Sequence, residues 1–455
     1  MDYRRPRQVG GVSGMSVLSD TLRGLKPYGD KRIVGTFGLG MASGFPLTFV
    51  ISLMGFWLSY SDVSKSDVGL FALITTFYTW KFIWSPAIDR LPLGWITSTF
   101  GQRRGWLLLI QALMAILILV IAQFDPATQL LQVAALAAAI AFLSASQDIV
   151  IDAYRIEILE DEDQGHSAAS YVYGYRTANY AAGVVVLLLA DAYGWTLAIS
   201  LLPLLFLPGT LAVLWLGEPE RGDADDAFLR SETQASKLSP VAQRLREAIY
   251  LPFKEFTRRE NWYLVLLFIF LFKAGDAVAS IMTAPLIRDM DFALTDVAWA
   301  NKTVGFVTLM LGVGLGAMFY KQIGMYKALF VSGILMMLTN LGFAWLWSGE
   351  AEAWRLAVTI GMENFATGLG TTVIIAYMAG LCNANFTATQ FALMSSLGNQ
   401  ARTLLGAPSG YAAEYLGWFE FFIIATLLAL PGLFVLWILW RKDVARHPAE
   451  EAASN

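Results

Sequence analysis

Residues 144–155, SASQDIVIDAYR, carry two carboxylates inside a long apolar stretch. Asp148 and Asp152 are four residues apart, so a helix places both on one face, one turn apart. Charged groups at membrane depth are costly, and they tend to face a bundle interior or a water-filled cavity. The run therefore predicts a polar path through an otherwise apolar helix.

Other charged residues also fall inside apolar runs. Counting along the predicted helices places Asp148 and Arg176 about 15 Å from the same membrane face, at 1.5 Å per residue. We therefore expect these two to pair, which relieves the cost of burying each charge. Glu363 and Arg402 also reach similar depths, near the middle of the membrane. The alternative for each charge is a purely structural salt bridge.

Lys81 and the pair Lys273 and Asp276 complete the set of buried charges. Lys273 and Asp276 are three residues apart on one predicted helix and can pair locally. Lys81 has no partner at its predicted depth, which favours it as a ligand for a solute.

Several reaction classes lack the residues they require. No Gly-Lys dipeptide occurs, so a phosphate-binding loop of the GxxxxGK[ST] type is excluded. His166, His447 and the single Cys382 are far apart, which predicts no metal site and no cofactor. No nucleophile–base pair is visible, so we expect no enzyme. A carboxylate must then carry any transported proton. The candidates are Asp148, Asp152 and Glu363.

The composition is that of a polytopic membrane protein. Of the 455 residues, 56% are hydrophobic and 15% are charged, and the mean hydropathy is +0.54. A soluble chain carries roughly 25% charged residues. We expect the lipid bilayer as the surroundings, no nucleic-acid partner, and a monomer.

Apolar runs long enough to span a bilayer recur along the chain. Two sets of six are separated by a polar stretch, which predicts an all-α integral membrane protein of the major facilitator fold with twelve transmembrane helices in two six-helix bundles. The predicted spans are 33–60, 67–88, 105–124, 130–156, 167–190, 195–216, 261–283, 294–320, 327–347, 353–381, 389–412 and 419–440.

The distribution of positive charge predicts the orientation. With the N-terminus inside, 24 Lys and Arg fall in cytoplasmic segments and 3 in outer loops, which satisfies the positive-inside rule. Both termini are therefore expected in the cytoplasm. The predicted units are a tail at 1–32, a bundle at 33–216, a linker at 217–260, a bundle at 261–440 and a tail at 441–455. Within the linker, the pattern from Ser239 predicts a short amphipathic helix on the inner leaflet.

The loop after the second span carries a cluster of charges. The residues are Asp89, Arg90, Arg103 and Arg104. An Asp–Arg pair at a helix end followed by a basic cluster suits a clamp that holds cytoplasmic helix ends together in one transport state. Simple positive-inside anchoring is the alternative. The equivalent loop at 321–327 lacks the acidic residue, so we expect a degenerate clamp there. We also expect Pro46 to break the first span near its middle.

Long strings across residues 30–440 resemble the AmpG muropeptide permeases. SASQDIVIDAYR is one of them. The others are GMASGFPLTF at 40–49, FIWSPAIDR at 82–90 with GQRRGWLL at 101–108, GMENFATGLGTT at 361–372, FTATQFALMSSL at 386–397 and ARTLLGAPSGYAAEYLGW at 401–418.

This resemblance implies proton-driven import of anhydro-muropeptides across the bacterial inner membrane. The implied substrates are N-acetylglucosaminyl-anhydro-N-acetylmuramic acid with or without its peptide. The same branch resembles eukaryotic acetyl-CoA transporters, so a different sugar, peptide or acyl-CoA-type solute is an alternative. Some members carry extra spans that residues 217–260 lack, which bears on substrate range. An intramembrane enzyme or an assembly factor is the competing class.

The chemistry of a muropeptide suggests which side chains bind it. Lys81, Arg176 and Arg402 suit its carboxylates. Polar groups suit its sugars and amides, and aromatic faces suit its sugar rings. The polar candidates are Gln147, Glu363, Asn364, Asn399 and Gln400. The aromatic candidates are Phe45, Tyr78 and Tyr377.

Overall fold

The computed structural model describes residues 26–61, 63, 71–219, 250–406 and 408–453, and these residues form helices joined by short connections. No strand occurs within these ranges. The prediction of an all-α chain is therefore confirmed.

The helices of the first half follow one another closely along the chain. They are α1 (Lys31–Tyr60), α2 (Thr76–Trp80), α3 (Ser85–Arg90), α4 (Trp95–Phe100), α5 (Gln102–Ile121), α6 (Leu130–Glu157), α7 (Gln164–Tyr193) and α8 (Trp195–Leu216).

The second half contains the remaining described helices. They are α9 (Leu251–Arg258), α10 (Trp262–Asp289), α11 (Thr295–Ile323), α12 (Met325–Trp347), α13 (Ala353–Gly380), α14 (Thr387–Gly406), α15 (Ser409–Leu416), α16 (Trp418–Leu427) and α17 (Leu430–Ala453). The amphipathic helix predicted from Ser239 lies mostly outside the described residues; α9 follows it, with Leu251 packed on Phe386.

Eight stretches of the described helices are long and apolar enough to cross a membrane. Such helices bond all their backbone groups internally, which the hydrocarbon region requires. The count of twelve spans stays a prediction. Apolar side chains of the first half form one core cluster, which also includes Ala388 and Ala392 of α14. Those of the second half form two further clusters.

Glycines allow two helix pairs to approach closely. A Cβ on Gly40 of α1 would clash with the carbonyl oxygen of Tyr171 in α7, and one on Gly312 of α11 would clash with that of Phe365 in α13. Small residues permit this backbone approach in membrane bundles. The α1–α7 and α11–α13 pairs form part of the helical framework that positions the polar residues of the candidate site.

Pro46 does not end α1, contrary to the prediction. The helix continues through a π-helical segment, Phe49–Leu53, to Tyr60. Proline has no N–H to donate to the carbonyl four residues earlier, which is that of Ala42. Gln147 of α6 supplies the missing donor, because its Nε2 lies 2.8 Å from the Ala42 oxygen.

Candidate functional site

Charged helix ends from both halves meet at one end of the molecule, which we call the basic end. Arg103 at the start of α5 lies between two carboxylates there. Its Nη2 is 2.6 Å from Asp89 Oδ1 and 2.6 Å from Glu157 Oε1. All three side chains are almost fully buried, so these charge-assisted hydrogen bonds are shielded from water.

Asp89 also joins the two halves directly. Its Oδ2 accepts hydrogen bonds from the backbone N–H and the hydroxyl of Thr389 in α14, at 3.2 and 3.0 Å. The guanidinium of the neighbouring Arg90 lies 4.8 Å from the ring centre of Phe386, which also belongs to the second half. The geometry of this loop therefore suits the predicted clamp.

Three partners of the clamp were missed from the sequence. Glu157 and Thr389 lie far along the chain from Asp89, and no spacing rule connects them. Glu218 accepts from the backbone N–H groups of Arg103 and Arg104, so it satisfies donors at the N-terminus of α5.

The loop at 321–327 was expected to form a degenerate clamp because it lacks an acid. Instead, Lys321 pairs with Asp163 of the first half at 3.3 Å. The acid comes from the other half of the molecule, so a search within the loop could not find it. Both side chains are partly exposed, and such pairs contribute little to stability.

A buried polar cluster lies within the first half, and its pairing differs from the prediction. Asp148 does not pair with Arg176. Its Oδ1 accepts a hydrogen bond of 2.6 Å from Ser43 of α1, and the hydroxyl of Tyr171 lies 2.9 Å from the same Ser43 oxygen. Counting along a helix gives the depth of Asp148, but depth does not specify which neighbouring helix its side chain meets.

Lys81 has a partner, contrary to the prediction. Its Nζ lies 3.8 Å from Asp152 Oδ2, and both side chains are buried. A 3-10 turn at Lys81–Ile83 separates α2 from α3 and carries this lysine. Asp152 also lies 3.7 Å from Arg155. Lys81 is therefore a member of the buried cluster, and a solute meets it only by displacing Asp152.

A cavity of about 810 Å³ lies between the two halves. Its lining comes mainly from α1, α7 and α11, in the parts of these helices remote from the basic end. The lining includes Thr48, Ser52, Phe56, Arg176, Asn179, Tyr180, Asp191, Asn301, Lys302, Phe306 and Asn364.

Two cations enter this cavity, one from each half. Arg176 of α7 was predicted to bind substrate, whereas Lys302 of α11 was not. Neither cation lies within 4.0 Å of a carboxylate among the described residues. Lys302 sits in a π-helical segment, Trp299–Gly305. Such segments are rare and often occur at functional sites. A sequence analysis that looks only for regular helices does not detect them, and it therefore missed Lys302.

Several predicted ligands do not reach the cavity. Gln147 is fully buried against α1, and the aromatic candidates Phe45, Tyr78 and Tyr377 are buried in the core. These residues were chosen by type, and the helix face that each occupies points into the bundle. Tyr180 and Phe306 line the cavity instead, with ring centres 5.0 Å apart across the two halves.

In the second half, polar groups of α10 face α13. Lys273 donates to Thr371 at 2.6 Å and Asp276 accepts from Thr367 at 3.4 Å. Glu363 accepts from Asn364 at 3.1 Å and lies close enough to Arg176 for an electrostatic interaction.

The rest of the predicted second-half site lies on α14. Arg402 is in this helix, but its side chain lies outside the described part of the structure, so its pairing with Glu363 stays a prediction. Asn399 is exposed and Gln400 is half-buried; neither lines the cavity. Within the described residues, no group of three His, Cys, Asp or Glu is arranged to hold a metal ion.

Known proteins share this fold. The sequence model of the Major Facilitator Superfamily matches residues 33–407. The solved proton:xylose symporter XylE superposes with a TM-score of 0.63 at 13% identity, covering 90% of this chain and 94% of that one. The human organic anion transporter MFSD10 gives 0.60 at 17% identity, covering 89% and 98%. The chain thus has the fold of the Major Facilitator Superfamily, which is a superfamily of membrane transporters.

Sequence relatives identify a particular family within this superfamily. The anhydromuropeptide permease of Escherichia coli strain K12 is 36% identical over 400 residues, covering 88% of this chain and 77% of the relative. The putative transporter AmpG 4 of Rickettsia felis is 30% identical over 419 residues, covering 92% and 98%. The chain therefore belongs to the AmpG permease family of the major facilitator superfamily. It is a multi-pass protein of the bacterial inner membrane and a permease, not an enzyme.

Proposed function

We propose that this chain imports anhydro-muropeptides across the inner membrane by proton symport, for recycling of the cell wall. The observation that carries the substrate assignment is the 36% identity to the Escherichia coli anhydromuropeptide permease over 88% of the chain. The cavity between the halves supports it, because a solute must bind between bundles that move against each other.

The lining of the cavity suits a carboxylated sugar. Arg176 and Lys302 offer charge to carboxylates, and Asn179, Asn301 and Asn364 offer amides to hydroxyl and acetamido groups. Pockets for small ligands have volumes of about 300–1,000 Å³, and the volume of this cavity, about 810 Å³, falls in that range. Another sugar, peptide or acyl-CoA-type solute is the alternative.

We further propose that the basic end faces the cytoplasm. The positive-inside rule supports this orientation, with 24 Lys and Arg in the segments assigned inside and 3 in those assigned outside. The two halves contact each other at the basic end, whereas the cavity lies toward the opposite end. This conformation then faces outward, ready to accept solute from the periplasm. We also propose that residues 217–260 link two helical bundles and that the protein is a monomer.

Proton coupling is assigned to the buried cluster of the first half. Asp148 is held by Ser43, and it interacts electrostatically with Lys81, which also pairs with Asp152. A proton on Asp148 removes one negative charge from this cluster. Lys81 then interacts mainly with Asp152. Protonation therefore changes the charge interactions of α6, the helix that carries both acids. Glu363 is the second candidate for the proton.

Uptake into proteoliposomes tests the proposed function. Purified protein is reconstituted, a pH gradient is imposed, and accumulation of radiolabelled N-acetylglucosaminyl-anhydro-N-acetylmuramyl-tripeptide is measured. We expect accumulation that an ionophore collapses, and competition by the peptide-free disaccharide. Empty liposomes are the control. Accumulation of xylose or acetyl-CoA in place of the muropeptide would favour the alternative solutes.

A further inference from the structure

Arg155 occupies an unusual position at the basic end. It lies near the end of α6, and its side chain has no exposed surface. Its guanidinium carbon is 5.5 Å from the ring centre of Tyr171 in the first half and 5.5 Å from that of Phe391 in the second. The cation is thus enclosed between two aromatic rings at the interface of the halves.

Within the described part of the chain, the nitrogens of this guanidinium have no hydrogen-bond partner. Nε, Nη1 and Nη2 of Arg155 are all buried and unsatisfied, and the nearest carboxylate oxygen, on Asp152, is 3.7 Å away. Arg103 lies at the same end and is equally buried, yet it reaches two carboxylates at 2.6 Å. Burial alone therefore does not explain the missing partners of Arg155.

Unsatisfied buried donors are costly. Leaving one buried donor unpaired costs about 1–3 kcal/mol, and more for a charged group. Cation–π contacts with two rings offset part of this cost. A transporter alternates between two conformations, so a group that is unsatisfied in one is expected to find its partner in the other.

The charges around Arg155 indicate the sign of that partner. Lys81, Asp148 and Asp152 are the neighbouring members of its cluster, and Asp152 is shared between Lys81 and Arg155. With all four groups ionised the cluster is neutral. A proton on one carboxylate leaves it with an excess positive charge, and Arg155 is the member that borders the second half.

We propose that Arg155 is an inner anion-binding residue, which takes a carboxylate of the transported solute when the basic end opens and Phe391 moves off the guanidinium. This rests on the proposed transport of a carboxylated solute. A guanidinium offers a planar fork of donors that binds a carboxylate with two parallel hydrogen bonds. Tyr171 would keep the plane of the fork fixed from one side. The solute then passes from Arg176 and Lys302 in the cavity to Arg155 before release.

The native cysteine provides a probe that needs no knowledge of the solute. Cys382 is the single cysteine of the chain, and its thiol lies within electrostatic range of Arg155. The protein in lipid nanodiscs is treated with an anionic or a cationic methanethiosulfonate reagent, and the two rates are normalised to a small free thiol. We expect the anionic reagent to react about tenfold faster in the native chain, since local charge changes such rates by at least this factor.

Substitutions connect this preference to Arg155. In Arg155→Gln the preference for the anionic reagent is expected to fall, while Arg259, which also acts on this thiol, stays in place. Arg155→Lys keeps the charge and is expected to keep the preference. Arg258→Gln is the matched control, because Arg258 is an exposed cation that is not among the charges acting on Cys382. This control is expected to change the ratio by less than about twofold, as for an exposed charge.

Labelled solute separates this inference from the proposed function. Anhydro-muropeptide tripeptide is expected to slow the anionic reagent in the native chain and to have less effect in Arg155→Lys, which lacks the planar fork. A preference without protection by the muropeptide supports the anion site and contradicts the substrate. Equal rates for the two reagents in the native chain, or equal loss of the preference in Arg258→Gln, would overturn the role of Arg155 whether or not Arg155→Gln folds.

Discussion

At the scale of single residues, the cavity depends on Arg176 and Lys302. Each comes from a different half, and neither has a carboxylate within ion-pair distance among the described side chains. A cation in a cavity that forms no ion pair with the protein is available to a solute anion. A solute held by both would also bring the two halves together, which is the coupling that alternating access requires.

Neutralising either cation is expected to weaken solute binding. A hydrogen bond to a charged group contributes about 1.5–3 kcal/mol, so Arg176→Gln and Lys302→Gln should each raise the KM for muropeptide uptake about 10- to 100-fold. Arg288→Gln is the matched control, since Arg288 is an exposed cation that does not line the cavity. Initial rates in proteoliposomes at equal protein content give the comparison. An unchanged KM in both variants would remove these cations from the binding site.

Coupling to the proton gradient is expected to depend on Asp148. Asn at this position keeps the size and a hydrogen bond to Ser43 but cannot exchange a proton, so Asp148→Asn should abolish gradient-driven accumulation and retain downhill exchange. Asp125→Asn, in an exposed turn, is the control. Both are measured with an imposed pH gradient. If Glu363→Gln alone shows this phenotype, the coupling site belongs to the second half.

The positions of charged residues in apolar runs largely predicted which of them lie inside the bundle. The sequence did not predict which residues they contact. Residue spacing gives depth, whereas a partner depends on the direction in which each side chain leaves its helix. Asp148 therefore meets Ser43 rather than Arg176, and Lys81 meets Asp152. Lys302 was not recognised from the sequence, because the π-helical segment that carries it has no simple sequence signature.

At the scale of elements, close contact between helices sets the shape of the cavity walls. The α1–α7 pair lies in the first half and the α11–α13 pair in the second, and each has a glycine against a facing carbonyl. The break between α2 and α3 at Lys81–Ile83 was not predicted, since residues 76–90 contain no internal glycine and Pro86 follows the break.

An added methyl group should separate α1 from α7. Gly40→Ala would place a Cβ against the Tyr171 carbonyl oxygen, and overpacking of this kind costs about 1–3 kcal/mol. Gly183→Ala is the matched control, because that glycine of α7 has no heavy atom within 4 Å of the added Cβ. Thermal unfolding in detergent should show a lower Tm for the first variant and an equal or higher Tm for the second. Equal Tm values would mean that α1 and α7 shift without cost.

At the scale of the whole molecule, the two halves contact each other at the basic end through groups of different strength. Asp89 and Thr389 are buried, whereas Lys321 and Asp163 are partly exposed. Hydropathy and charge predict twelve spans, inside termini and a central linker, and these stay predictions. The contacts between the halves at the basic end could not be predicted in this way, because they join residues 300 and 158 positions apart.

The buried contact is expected to control the conformational equilibrium. Thr389→Val removes the hydroxyl that donates to Asp89 but leaves the Asp89–Arg103 pair intact. A hydrogen bond to a charged group contributes about 1.5–3 kcal/mol, so the population open at the basic end should rise about 10- to 100-fold relative to the closed one. Asp89→Asn should shift the population in the same direction and also weaken the Arg103 pair. Lys321→Gln is the control, because an exposed pair contributes at most about 1 kcal/mol.

Spin labels on Ser98 and Tyr326, which lie in the first and second halves, report the distance between the halves by double electron–electron resonance. Distance distributions for Thr389→Val that match those of the native chain would show that this contact does not hold the basic end closed.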